Sequence, residues 1–291
     1  MLRHRLTLGP ILIALVIAMA WLDEWIETQT GRPSAIVFPV LVIAILFAVQ
    51  EIAPIFRALN TRASRRLLSV AAGLGLCAAA FTPPSVAGVS GVAVVCSCAI
   101  VTLIGSIVIY ARQQSSAGVT AGAAAALFVF VYLGLLGGFL VVLRNSFSAW
   151  VLLGVVLVTK SCDIGAYFTG RAIGRHKLIP WLSPGKTWEG LFGGVALSTL
   201  LGMGGVALAH VGGELPDLSL LHGAMIGAML GLVGQGGDLV ASVLKRDAGF
   251  KDYSSRLPGF GGVMDVLDSA LLTAPVAYWM LAALTHPAPT G

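Results

Sequence analysis

The sequence predicts an all-α fold, a polytopic transmembrane helical bundle of about nine spans with its N-terminus in the cytoplasm. Three observations carry that prediction. Of 291 residues, 57% are hydrophobic and 11% are charged, too few charges to coat a water-soluble globule of this size. The mean hydropathy is +0.92, and the longest charge-free run, Leu67 to Ala111, is 45 residues, room for two spans of about 20 residues each. The basic residues, finally, fall in alternate inter-helix segments.

Counting apolar windows along the chain gives nine candidate helices. They are centred on Leu6 to Leu22, Ala35 to Val49, Leu67 to Phe81, Val86 to Ala111, Ala117 to Leu143, Ala149 to Phe168, Gly190 to Val211, His222 to Val243 and Gly261 to Leu284. The first follows Arg3 and Arg5 as a signal peptide would, but Trp21-Leu22-Asp23 lacks a small-residue cleavage pattern, so it is read as a retained span. The second and third windows are short for a crossing, and the fourth and fifth are long, which predicts tilt or interfacial extension. Pro83-Pro84 marks the turn between the third and fourth.

With nine spans and a cytoplasmic N-terminus, the inside segments hold 15 of the 18 Lys and Arg residues. The outside segments hold only Arg32 and Arg144, together with Asp23, Glu24, Glu27, Glu214 and Asp217, and Lys160 lies within a helix. That separation obeys the positive-inside rule and predicts a multi-pass protein of the cell inner (plasma) membrane. A basic pI near 9.2 does not make a nucleic-acid module here, because the bases sit in short islands between apolar runs. They are placed to meet lipid head groups or an anionic substrate. The 36 Gly and 13 Pro are spread through apolar segments, which excludes a disordered tract. Cys77, Cys96, Cys98 and Cys162 all lie in apolar runs without the spacing of a zinc site and read as packing residues.

Charge divides the chain unevenly. Residues 67 to 159 carry two charges, whereas 160 to 268 carry nine of the 13 acids. Residues 1–148 are therefore expected to form N-terminal transmembrane helices facing lipid, and 149–291 a C-terminal transmembrane region that carries the chemistry on cytoplasmic loops. No inverted repeat of the kind seen in secondary transporters is present, since the first half has nothing corresponding to the polar clusters of the second.

Ionisable groups inside a span cost about 2.5–3.5 kcal/mol each and tend to face a partner or a wet cavity. Lys160 and Asp163 are three apart and can share a helix face, which leaves a structural ion pair and a functional site equally open. Asp238 ends the run Gly234-Gln235-Gly236-Gly237-Asp238, where glycines permit close backbone approach and a simple packing face is the bland alternative. Asp265 and Asp268 share a face near the start of the ninth helix, and two nearby carboxylates repel unless a cation or proton intervenes. With Asp238 on the neighbouring helix, an oxygen-ligand site for Mg²⁺ and substrate phosphates is the economical reading, with a second, monovalent cation left open. A proton- or sodium-coupled carboxylate site in a transporter is the rival. Around these acids, one loop supplies Arg171, Arg175, His176, Lys177 and Lys186, and the next Lys245, Arg246, Lys251 and Arg256. Interleaved with Gly, Ser and Pro, these bases suit phosphate binding. Arg57 to Arg66 read as a topology signal or lipid anchor. Ser183-Pro184-Gly185-Lys186-Thr187 fails as a Walker A loop, because Pro180 stands where that motif needs glycine. Serine-hydrolase and zinc-protease motifs are absent from the sequence.

The run from Ser242 through Lys245-Arg246, Lys251-Asp252 and Pro258-Gly259-Phe260-Gly261-Gly262 to Asp265-Val266-Leu267-Asp268 resembles the signature of the phosphatidate cytidylyltransferases, the CDP-diacylglycerol synthases. That signature reads S-x-x-K-R, then K-D, then P-G-H-G-G-x-x-D-R-x-D. Gly237-Asp238-Leu239 resembles the family's G-D-L element, Ser183 to Gly190 its S-P-x-K-T-x-E-G loop, and Asp163 to Tyr167 its D-x-x-A-Y helix. The four elements stand in family order. Phe260 replaces the usual histidine and Val266 the usual arginine, and both swaps remove a polar group.

The resemblance implies transfer of CMP from CTP to phosphatidic acid, giving CDP-diacylglycerol and pyrophosphate. It implies Asp238, Asp265 and Asp268 as Mg²⁺ ligands. Lys186, Lys245, Arg246 and Lys251 are expected on phosphates, with Asp163 and Asp252 orienting them or a second cation. Ser183, Thr187, Ser242, Gly261 and Gly262 are expected to touch substrate. The expected partners are CTP, phosphatidic acid and membrane lipids, without nucleic acid. A homodimer through glycine faces such as Gly202 to Gly205 stands beside the commoner use of such faces within one chain. Rival readings are another CTP-dependent lipid enzyme (a polyprenol kinase or CDP-archaeol-type synthase), a non-catalytic relative, and a carboxylate-coupled transporter.

Overall fold

Each apolar window of the sequence becomes one helix. The computed structural model describes residues 2–82, 85–86, 89–112, 114–254 and 261–285. Its helices are α1 (Leu2–Thr30), α2 (Val37–Ala58), α3 (Arg65–Phe81), α4 (Gly91–Ala111), α5 (Val119–Ser146), α6 (Ala149–Ile173), α7 (Trp188–Val211), α8 (Leu220–Asp247) and α9 (Val263–Thr285). Two small antiparallel pairs accompany them, β1 (Ser85–Val86) with β2 (Val89–Ser90), and β3 (Lys177–Ile179) with β4 (Ser183–Thr187). Among the described residues, seven helices, all but α1 and α3, are long and apolar enough to cross a membrane. The turn expected at Pro83-Pro84 lies outside the described residues, between the end of α3 and the start of α4.

The helices outrun their apolar windows where polar side chains have partners. Helix α1 continues through Asp23, Glu24 and Glu27, which the sequence placed in an outside loop. Arg144, 1% exposed near the end of α5, takes Asp23 and Glu27 at 2.5 Å each. The other oxygen of Asp23 accepts the backbone N–H groups of Ile36 (2.6 Å) and Val37 (3.1 Å) at the start of α2. Burying these charges together satisfies them, whereas removing one partner would leave an uncompensated charge. Helix α2 likewise passes the expected end at Val49 and runs through Gln50, Glu51 and Pro54.

The described chain gathers into two compact units, one of Met1–Asn145 with Leu244–Val266 and the other of Ser146–Val243 with Leu267–Gly291. In the first, Ile45 and Ile52 of α2, Leu68 and Leu76 of α3, and Phe130 and Leu133 of α5 are fully buried. Helix α5 widens into a π turn over Phe130–Leu135. There Gly134 meets the α3 backbone so closely that a Cβ on it would lie 2.6 Å from the Ala72 carbonyl. In the second unit, α6 and α7 cross at small residues, and a Cβ on Gly190 would lie 2.8 Å from the Ala166 carbonyl. Close backbone approach of this kind is how helices pack where lipid tails remove the hydrophobic drive between them. Gly202 of the suggested dimer face packs within the chain against Gly227 of α8, while Gly204 and Gly205 have open space around them. Helix α4 turns Val92, Ile100, Val101, Ile104 and Val108 outward, an apolar surface that suits hydrocarbon as its solvent.

Candidate active site

The residues of the expected site fall in both units. In the second unit, the β3–β4 hairpin pairs Lys177 with Thr187 and Ile179 with Ser183. Its far end is fastened to the start of α7 twice. Thr187, 5% exposed, is the N-cap of α7, its hydroxyl accepting the Gly190 N–H at 3.1 Å. The Glu189 carboxylate, one residue into the same helix, accepts the His176 N–H at 3.2 Å and lies 2.6 Å from the His176 Nδ1. Ser183 and Lys186 thus sit on a short ribbon anchored at its open end.

Lys186 reaches from this ribbon to α8, where its ammonium meets Asp238 at 2.7 Å and donates to the Gln235 carbonyl oxygen at 2.9 Å. Gln235 in turn donates its amide to Asp163 of α6 at 2.6 Å. Asp163 also lies within electrostatic reach of Lys160, Lys186 and Asp238. The side chains of Asp163, Tyr167, Ser183, Lys186, Thr187 and Gln235 line a cleft of about 260 Å³. That is below the roughly 300–1,000 Å³ of sites for drug-sized ligands, so it suits one group of a larger anion. Ser242, on α8, is half-buried.

Lys160 does not close the intrahelical pair with Asp163 that the sequence left open. Its ammonium bonds the Ser269 hydroxyl at 2.5 Å and stands 3.5 Å from the carboxylate of Asp268, which is 3% exposed. Three of the four ionisable groups flagged inside this unit's helices therefore have a partner on a different helix, because a span can satisfy a charge only through its neighbours.

In the first unit, Lys245 of α8 and Asp265 of α9 pair at 2.6 Å, with Lys245 8% exposed and standing 5.1 Å from the centre of the Tyr253 ring. The second oxygen of Asp265 accepts the Gly262 N–H at 2.8 Å. Helix α8 ends in a left-handed Gly249, φ 76°, whose N–H bonds the Arg246 carbonyl at 3.0 Å. The Arg246 guanidinium donates to the Phe250 carbonyl at 3.3 Å, and Lys251 and Asp252 are exposed just beyond. Gly261 is also left-handed, φ 86°, and Gly262 is buried. Val266 is 40% exposed in the first turn of α9, whereas Phe260 and Arg256 lie outside the described residues.

Each of the three acids expected to hold a metal is thus bonded to or faced by a lysine, Asp238 by Lys186, Asp265 by Lys245 and Asp268 by Lys160. Among the described residues, no three His, Cys, Asp or Glu side chains gather as a self-sufficient ion cage. Mg²⁺ rarely uses one, being held by one or two carboxylates together with substrate phosphates. Acceptor-only carboxylates beside lysines that suit phosphate therefore fit such an ion.

Two residues of these groups escaped sequence reasoning. Gln235 is neutral, and neither its charge nor its place in a glycine run sets it apart. Glu51, buried in α2, binds the Ser254 hydroxyl and the Met264 N–H. A lone acid at the edge of an apolar window was the available signal.

Helices long and apolar enough to cross a membrane, with lysine–carboxylate pairs and a small cleft among them, mark the chain as a membrane protein. The chain belongs to the cytidylyltransferase family, whose model matches residues 3–284. Among its relatives, the uncharacterized protein YnbB of Escherichia coli is 38% identical over 159 residues, 50% of this chain and 51% of that protein. The phosphatidate cytidylyltransferase of Bacillus subtilis is 35% identical over 154 residues, 52% of this chain and 55% of its own. That of Pseudomonas aeruginosa is 38% identical over 139 residues, 48% and 50% of the two chains. The chain thus spans about half the length of the curated relatives it matches.

Proposed function

We propose that the protein transfers CMP from CTP to phosphatidate at the cytoplasmic face of the inner membrane, releasing pyrophosphate and leaving CDP-diacylglycerol in the bilayer. The observation that carries this is the Asp163–Gln235–Lys186–Asp238 chain beside a small cleft, in a chain of the cytidylyltransferase family. A phosphatidate oxygen forms a bond to the α-phosphorus of CTP as the bond between that phosphorus and the oxygen bridging to the β-phosphate breaks. The attacking phosphate is already ionised, so no strong base is required. Catalysis then rests on positioning and charge neutralisation.

The roles proposed for individual residues draw on these contacts and on the family resemblance. Lys186 and Lys245 each sit against a carboxylate that fixes the ammonium's place, and both are assigned to phosphate oxygens. Arg246 and Lys251, at the exposed end of α8, are assigned to the incoming phosphates. Asp163 acts through Gln235 to hold Lys186. Asp252 is assigned to orienting the neighbouring bases. Ser183, Ser242, Gly261 and Gly262 are assigned to substrate contact, and Thr187 to capping α7 beneath the cleft. Asp238, Asp265 and Asp268 would hold Mg²⁺, which when bound supplies charge neutralisation at the transferring phosphoryl group. A second, monovalent cation near Asp163 or Asp252 is compatible with the same carboxylates.

Val266, standing in place of the family arginine, favours one second reading, in which CTP binds but another lipid accepts the CMP. Turnover of labelled CTP by the purified, detergent-solubilised protein tests both. With phosphatidic acid and Mg²⁺, CDP-diacylglycerol and pyrophosphate are expected in equal amounts, and neither without lipid. Binding of CTP without either product would reject the phosphatidate reaction and direct the assay to other acceptor lipids.

A further inference from the structure

We infer that Glu51 is a positioning residue, which caps the N-terminus of α9 from α2 and thereby fixes the first turn that carries Asp265 against Lys245. The functional half of this statement rests on the roles proposed above for Asp265 and Lys245, whereas the capping stands on geometry alone.

Glu51 is 3% exposed and is the one acid of α2, where an ionisable group is costly unless it is partnered. Its partners are the Met264 N–H at 2.9 Å and the Ser254 hydroxyl at 2.7 Å. The first N–H groups of a helix have no carbonyl within the helix, and an N-cap side chain ordinarily accepts one of them two or three residues on. The residue preceding α9 is Gly262, which has no side chain to offer. Its own N–H goes to Asp265, the returning half of a capping box. The forward half is missing from α9 itself and is supplied by Glu51, whose negative charge also suits a helix N-terminus.

The glycine and the imported carboxylate are one arrangement. A Cβ on Gly262 would lie 2.8 Å from the Glu51 Cδ and 3.0 Å from its Oε1. Two paths then lead from Glu51 to the same ion pair. Met264 precedes Asp265, and Ser254 follows Tyr253, whose ring lies beside the Lys245 ammonium. A helix from the N-terminal part of the sequence thus sets the geometry of a motif more than 200 residues away.

Hydrogen exchange across residues 261–266, compared with CTP turnover, tests this on the full chain in detergent. Glu51→Ala is expected to speed exchange of the first turn of α9 by about tenfold, in line with loss of a cap, and to lower turnover with it. Gly262→Ser alone is expected to impair both, since its side chain meets the carboxylate. In the double variant the serine caps from within the vacated space, and both readouts are expected to return toward wild type. Gly262→Ala paired with Glu51→Ala enters the same space without a hydroxyl and is expected to leave exchange fast, which separates capping from space filling. Should Glu51→Ala fail to fold, Glu51→Gln keeps the volume and one acceptor oxygen, and its smaller rise in exchange must be confined to the same turn.

Unchanged exchange at 261–266, acceleration spread evenly through α3 and α5, or a double variant worse than either single one overturns the inference. Exchange needs no substrate, so the two readings fail separately. A wild-type protein without turnover defeats the phosphatidate reaction, while the exchange comparison still decides on Glu51.

Discussion

Lys186 and Gln235 show how much a single contact fixes in this protein. Lys186 was expected from its motif, but its direction is set by Gln235, which holds its ammonium on one side and Asp163 on the other. Gln235→Leu removes both bonds and leaves two partly buried groups without that partner, a cost of about 1–3 kcal/mol. Turnover is expected to fall about tenfold or more, mostly in kcat, in a detergent assay with saturating CTP. A wild-type rate in that variant would remove Gln235 from the site. Asp163 and Asp238 could be picked from the sequence because carboxylates are conspicuous in apolar segments. Gln235 could not, because an amide carries no charge signal.

At the scale of the element, the start of α7 joins fold and site. Thr187 was expected to touch substrate, and its hydroxyl caps the helix that supports the cleft. Thr187→Ala is expected to cost about 1 kcal/mol of stability by loss of that cap, and Thr187→Ser to restore it. Thermal unfolding measured alongside KM for CTP separates the two roles. A lower melting temperature with KM unchanged assigns Thr187 to capping, and a raised KM at unchanged melting temperature assigns it to substrate. The helices themselves were largely legible, since α3, α6 and α7 lie close to their apolar windows. Helices α1 and α2 exceeded theirs because Asp23, Glu27 and Glu51 find partners far along the chain. A window that stops at the first acid cannot anticipate a partner more than 100 residues away.

For the whole molecule, the distribution of bases predicts sidedness. Helix α7 is long and apolar enough to cross a membrane, so the β3–β4 hairpin before it and the α7–α8 connection after it are expected on opposite sides. Single cysteines at Lys177 and Asp217, both exposed, in a background lacking the four native cysteines, are expected to react with an impermeant maleimide from opposite sides. Lys177→Cys should label from the cytoplasmic side and Asp217→Cys only from the outside. Labelling of both from one side would require an odd number of crossings to be removed or added between them, and with it a new place for the proposed chemistry.

The sequence by itself determined the class of protein, the order of its helices and the residues that carry its family's signature, because hydropathy and short motifs are local properties. Only the tertiary structure decided the partners. It directed Lys160 to Ser269 and Asp268, joined Lys186 to Asp163 through Gln235, and brought Glu51 to the start of α9. It also grouped Leu244–Val266 with the N-terminal helices. The physical reason is common to all of these. In a bundle with few charges, each buried polar group must be satisfied by another, and the position of that other along the chain is set by helix packing rather than by sequence spacing.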